Sequence, residues 1–119
     1  MPRKVLGGLV QAAAPITDPS APIDKVVKAA IDAHIPFIEE AGKRGVQVLG
    51  LQEVFNGPYF CPSQDAHWYD IAEAVPGPTT DLMAQYAKKY QMAMVVPVYE
   101  REQAGVYYNT AAVYDNDGT

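Results

Sequence analysis

The sequence predicts an α/β fold built on parallel strands, and three observations lead there. The run from Val46 to Val54 is mostly apolar, as suits a strand buried on both faces. A helical stripe from Ile23 to Ala41 precedes it, and an apolar segment from Val5 to Ala13 precedes the helix. A strand, a helix of this length and a second strand make a parallel pair with a right-handed crossover. With 119 residues, 49% of them hydrophobic, the chain is the size of one small domain and can form a core.

In the first strand, Gly7 and Gly8 either permit a close backbone approach or mark a bulge. Pro15, Asp18, Pro19, Ser20 and Pro22 form the loop after it. The helix places Ile23, Val26, Val27, Ala30, Ile31, His34, Phe37, Ile38 and Ala41 on one stripe and ends near Gly42. Pro36 removes one backbone bond and crowds the carbonyl four residues back, so a kink or break is expected there. His34 falls on the stripe and reads as a satisfied core residue.

Beyond Val54, Asn56-Gly57-Pro58 turns the chain, and Phe60 to Val75 is loop with one short helix around Ala66 to Ala74. Gly77-Pro78-Thr79-Thr80-Asp81 starts a second helix, with proline in the first turn and an acid near the positive end of the dipole. Its buried face is Leu82, Met83, Tyr86, Ala87 and Tyr90. A third strand spans Met92 to Tyr99, Glu100 to Gly105 is a polar turn, and a fourth strand spans Val106 to Tyr114. Asp117-Gly118 after an alternating strand is a hairpin signal that calls for a return strand, so the sequence reads as a domain truncated after its fourth strand.

The second strand ends in a carboxylate, Glu53, at the carboxyl end of a core strand, where α/β folds place their ligands. A period of two puts Leu49, Leu51, Glu53 and Phe55 on one face. Such apolar neighbours disfavour the charged form of a carboxylate, as a general base working near neutrality requires. The plainer reading is that a lone glutamate after an apolar strand leads into a loop or caps a helix. Cys61, between Phe60 and Pro62, has no histidine or basic residue beside it in sequence, so a free structural thiol is the simpler reading than a nucleophile. Asn109 is a polar residue within an apolar and aromatic strand; a buried amide must be hydrogen-bonded, so it is expected to brace a neighbouring loop.

The totals exclude several classes of partner. The net charge of −5 comes from scattered acids and the basic residues form no stripe, which argues against nucleic acid and anionic membrane. One cysteine allows no intramolecular disulfide, and with His34 and His67 it makes no metal-ligand spacing. The short, glycine-containing run after Met1-Pro2-Arg3-Lys4 reads as a strand rather than a signal peptide, and no stretch of about 18 apolar residues suggests a membrane span. A cytoplasmic setting fits. From the residues alone, a non-catalytic α/β interaction domain, with Glu53 purely structural, stays open beside an enzyme.

The order and spacing of several motifs add to this. Gln52-Glu53 followed by Val54-Phe55-Asn56-Gly57-Pro58-Tyr59-Phe60, the Gly77-Pro78-Thr79-Thr80 helix start, Pro97-Val98-Tyr99-Glu100-Arg101, Tyr108-Asn109-Thr110 and the closing Asp-Gly turn together resemble the amino-terminal part of the carbon–nitrogen hydrolase (nitrilase) superfamily, in its β-ureidopropionase and N-carbamoylputrescine amidase branch. The resemblance implies an α-β-β-α sandwich of which only the amino-terminal part is present in residues 1–119. It also implies a glutamate, lysine and cysteine mechanism in which Glu53 is the general base, while the lysine and the nucleophilic cysteine follow the last turn, so that Cys61 is not the nucleophile. Glu100 matches an acidic position near the site, and a supporting role follows from the resemblance. The implied reaction hydrolyses an N-carbamoyl amine or amino acid without metal or cofactor; another amidase or a nitrilase of the superfamily is the alternative. The resemblance further implies a homo-oligomer for the full-length protein, and an inactive fragment for this stretch alone.

Overall fold

A computed structural model describes residues 2–119. The elements run β1 (Gly7–Leu9), α1 (Ile23–Lys43), β2 (Val48–Gly50), a short 3₁₀ helix (Ala66–Ile71), α2 (Pro78–Tyr90), β3 (Ala93–Gln103) and β4 (Val106–Tyr114). The strands form one sheet in the order β1-β2-β3-β4. β1 pairs parallel to β2 and β2 parallel to β3, whereas β3 and β4 make an antiparallel hairpin. The parallel arrangement expected from the strand, helix, strand order is therefore present.

Both helices pack on one face of this sheet. Ile38 and Ala41 of α1 and Met83 and Ala87 of α2 share one core with Leu49 of β2 and Met94, Val96 and Val98 of β3. Alternation along β3 sends Met94, Val96 and Val98 into that core and leaves Val95, Pro97 and Tyr99 on the opposite face. The opposite face carries exposed apolar side chains, with Leu9 at 91% and Val113 at 67% exposure.

Pro36 does not break α1, which continues from Ile23 to Lys43. Pro36 lies on the exposed side of the helix, where water can satisfy the orphaned carbonyl, while Ala30, His34, Ile38 and Ala41 hold both halves against the core. Phe37, expected on the buried stripe, is 51% exposed. His34 is buried and its Nδ1 donates to the Ala30 carbonyl at 2.8 Å, with its ring edge-on to Phe55. Its Nε2 has no partner among the described residues, so His34 is only half satisfied.

The first two strands are shorter than the apolar runs suggested. β1 stops at Leu9 and β2 at Gly50, and the chain past Leu51 leaves the sheet through a turn in which Val54 adopts a left-handed φ of 46°. β3 is longer than expected and carries Glu100, Arg101 and Glu102 within the strand instead of in a turn. The reversal is confined to the stretch around Gly105, at φ 83°, after a register shift between Arg101 and Gln103. β4 spans the residues expected.

α2 begins as the Gly-Pro motif suggested, with an additional acid that sequence reading missed. The Glu73 carboxylate accepts from the Thr79 N–H at 2.7 Å and from the Thr79 hydroxyl at 2.8 Å, placing a negative charge at the helix N-terminus. Gly77 N–H donates to Thr80 Oγ1 at 2.8 Å. A Cβ on Gly77 would stand 2.1 Å from the Ala74 carbonyl oxygen, so any side chain there must displace backbone. Gly77→Ala is therefore expected to lower stability by about 2–3 kcal/mol. Urea denaturation followed by circular dichroism checks this, and an unchanged midpoint would contradict it.

Candidate active site

The site grows from the end of β2. Val10 N–H donates to Gly50 O at 2.9 Å on one side, and Leu51 N–H to Val95 O at 3.1 Å on the other. Past Leu51 the chain leaves the ladder and the Val54 turn closes through Gly57 N–H to Val54 O at 3.1 Å. Phe55 and Asn56 go inward and are fully buried, while Glu53 stays outside. The apolar enclosure expected for Glu53 is absent: the alternation that buries Leu49 and Leu51 ends at the turn, and the carboxylate is exposed.

Glu53 is instead held by Asn109. Asn109 Nδ2 donates to Glu53 Oε1 at 2.5 Å, joining β4 to the end of β2. Asn109 is exposed rather than buried, so its burial was misjudged, but it does brace the neighbouring loop. It pairs with Tyr99 across the β3–β4 ladder, on the face away from the helices.

Glu100 is not brought to this group. It lies on the other side of β3 from Tyr99, where its Oε2 accepts from the Thr110 hydroxyl at 2.5 Å and its neighbour Tyr99 accepts a backbone bond from Glu73. A strand's period of two separates adjacent residues onto opposite faces, so sequence proximity to Tyr99 does not put Glu100 beside Glu53.

A cavity of about 220 Å³ opens beside the Glu53–Asn109 pair, lined by those two residues, Val54, Pro58, Tyr59, Phe60, Cys61 and Tyr99. A second hollow of about 370 Å³ adjoins it across Phe60, Cys61 and Tyr99 and continues to Asp65 and Tyr69. Aromatic rings build the shared wall: Phe60 and Tyr99 lie 5.2 Å apart, Tyr99 and Tyr107 5.4 Å, and Tyr69 and Tyr107 5.1 Å. Burial, then the neighbouring phenols of Tyr69 and Tyr107, push the Tyr99 phenol above its ordinary range. The Tyr59 phenol is raised chiefly by negative charge at Cys61 and by its hydrogen bond to that thiol. Both phenols therefore stay protonated at neutral pH and can donate hydrogen bonds into the space beside the carboxylate. These tyrosines come from separate loops and strands, and only the fold gathers them. Among the described residues, no group of three or more His, Cys, Asp or Glu could hold a metal ion.

A family model described as carbon-nitrogen hydrolase matches residues 8–119. The chain belongs to this family. Among curated relatives of this carbon-nitrogen hydrolase chain, the β-ureidopropionase of Arabidopsis thaliana is 36% identical over 98% of the chain, and an omega-amidase of Xenopus laevis is 37% identical over 70% of it. The chain spans 29% of the length of each. A carbon-nitrogen hydrolase from Helicobacter pylori G27 superposes with a TM-score of 0.81 at 23% identity, over 97% of this chain and 36% of that one. An amidase from Nesterenkonia sp. AN1, a mutant solved with butyramide, gives 0.62 at 21% identity, over 93% of this chain and 38% of that one. The fold is thus mixed α/β and of the nitrilase type, with one four-stranded sheet and its helices matching 36% of the Helicobacter pylori chain.

The Tyr59–Cys61 contact generates a titration prediction. A thiolate at Cys61 disfavours a phenolate beside it, so removing the thiol must ease Tyr59 ionisation. In Cys61→Ser the Tyr59 phenol is expected to titrate at lower pH than in the unsubstituted chain, followed by the tyrosine ring-carbon NMR signal. An unmoved titration would show that the thiol does not act on Tyr59.

Proposed function

We propose that this chain is the amino-terminal part of an amidohydrolase that cleaves a non-peptide carbon–nitrogen bond, with Glu53 as general base. The observation that carries this reading is the Asn109–Glu53 hydrogen bond at the mouth of an aromatic cavity, in a chain of the carbon-nitrogen hydrolase family. A carboxylate held by one donor keeps a free oxygen for a proton, and its exposed position faces the space a substrate would enter.

In the proposed reaction, Glu53 takes the proton of a cysteine thiol and the thiolate attacks the amide carbonyl. A lysine stabilises the oxyanion of the tetrahedral intermediate. Glu53 then passes its proton to the leaving ammonia and takes another from the water that hydrolyses the acyl-enzyme. The lysine and cysteine would belong to the length of the relatives that this chain does not span, and the exposed sheet face that carries Leu9 and Val113 would pack against the second sheet. Asn109 positions the carboxylate, while Glu100 straps β3 to β4 through Thr110.

The substrate proposed is an N-carbamoyl amine or amino acid, which with one water gives amine, carbon dioxide and ammonia; the relative named β-ureidopropionase supports it. An ω-amide is the second reading, supported by the relatives named omega-amidase. Neither reading calls for a cofactor, and a full-length homo-oligomer is part of the proposal. In the full-length enzyme, Glu53→Gln is expected to lower kcat by about 10²–10⁴-fold. Ammonia release from N-carbamoyl-β-alanine measures it, and the purified 119-residue chain should release none. Turnover by that chain above its Glu53→Gln control would overturn the expectation that residues 1–119 alone are inactive, and an unchanged kcat in full-length Glu53→Gln would overturn the general-base role.

A further inference from the structure

We infer that Gln52 is a positioning residue for Glu53: its side-chain amide extends the β1–β2 ladder beyond the last backbone bond and fixes where the carboxylate leaves the sheet. The inference rests on the proposed role of Glu53 as general base.

Ala12 presents one N–H and one C=O at the edge past β1. Gln52 meets both, accepting the Ala12 N–H on Oε1 at 2.5 Å and donating from Nε2 to the Ala12 carbonyl at 2.8 Å. Only a primary amide can do this. A carboxylate lacks the donor, an ammonium lacks the acceptor, and an asparagine is one methylene short. The side chain thus takes the place of a peptide group two residues beyond the Val10–Gly50 backbone bond.

This clamp sits at the one point where the chain needs it. On its other side, Leu51 N–H holds β2 to β3, and the turn that follows includes Val54 at φ 46°. A β-branched residue in the left-handed region is strained by about 1–2 kcal/mol and persists only where its surroundings fix it. With Gln52 gripping the β1 side and Leu51 the β3 side, the backbone immediately before Glu53 is held on both flanks, so the carboxylate leaves the sheet from a fixed point. Asn109 then holds the carboxylate from the front. Gln47, just before β2, offers a contrast: its side chain accepts the Leu6 N–H at 3.1 Å and lies away from the cavity.

A small displacement of a catalytic group lowers the rate of the chemical step more than it lowers binding. In the full-length enzyme, Gln52→Met, which keeps the volume and removes both hydrogen bonds, is expected to lower kcat about tenfold or more with KM within about threefold. A smaller drop in kcat, or a loss that falls on KM, overturns the inference. Should Gln52→Met fail to fold, Gln52→Glu, which keeps the bond from Ala12 N–H and loses the one to its carbonyl, is read by the same criterion. Glu53→Gln is measured beside them. If that variant keeps the unsubstituted kcat, the general-base reading fails; if it is inactive while Gln52→Met is unimpaired, only the positioning role fails.

Discussion

Three residues, Val48 to Gly50, make up the strand on which the rest of this structure depends. β2 pairs with β1 on one side and β3 on the other, and its last ladder bonds, from Val10 and to Val95, fix both flanks at the same height. Immediately beyond them the chain must turn out of the sheet. That constraint sends Phe55 and Asn56 into the interior and leaves Glu53 on the outside, where the edge of β4 can reach it. The hydrogen bond between Asn109 and Glu53 spans 56 residues of sequence and crosses β3, which lies between β2 and β4 in the sheet, so it needs both the strand order and the turn that carries Glu53.

The two helices serve this geometry from the other side. Met94, Val96 and Val98 bury one face of β3 against α1 and α2, and the alternation of a strand then obliges Tyr99 to face the cavity. Glu73 ties α2 to the same region, because its carboxylate caps the helix while its backbone bridges Tyr99 and Arg101. A single short segment thus couples the helix layer to the strand that lines the site. Tyr99 lies at the centre of this aromatic group, tilted against Phe60 and stacked on Tyr107, and it lines the cavity beside Glu53.

Much of this architecture was legible in the sequence. The helical period from Ile23 to Ala41, the Gly77-Pro78 start and the alternation of Val106 to Tyr114 each state their element, since every local preference there agrees with the fold. The resemblance pointed to the family that the match over residues 8–119 shows. What misled was local chemistry overruled by surroundings. Pro36 signals a break, but its lost bond faces solvent on a helix pinned at both ends. The apolar run to Val54 signals a long strand, but the strand ends at Gly50 and the run continues into a turn with Val54 in the left-handed region, and no sequence pattern announces a positive φ at a β-branched residue. Glu53 was found as a carboxylate in an unusual place, whereas its exposure, its partner's exposure and the opposite facing of Glu100 depend on where that turn falls. Tyr59, Tyr69, Tyr99 and Tyr107 share no spacing and converge only in three dimensions.

In the proposed enzyme Glu53 and Asn109 act as one unit, and a double-mutant cycle on kcat/KM in the full-length protein measures their coupling. If Asn109 acts through the carboxylate, Asn109→Leu lowers kcat/KM at least tenfold in the unsubstituted background and has no further effect once Glu53→Gln is present. Equal losses in both backgrounds would place the effect of Asn109 somewhere other than on Glu53, and the two would not be a unit.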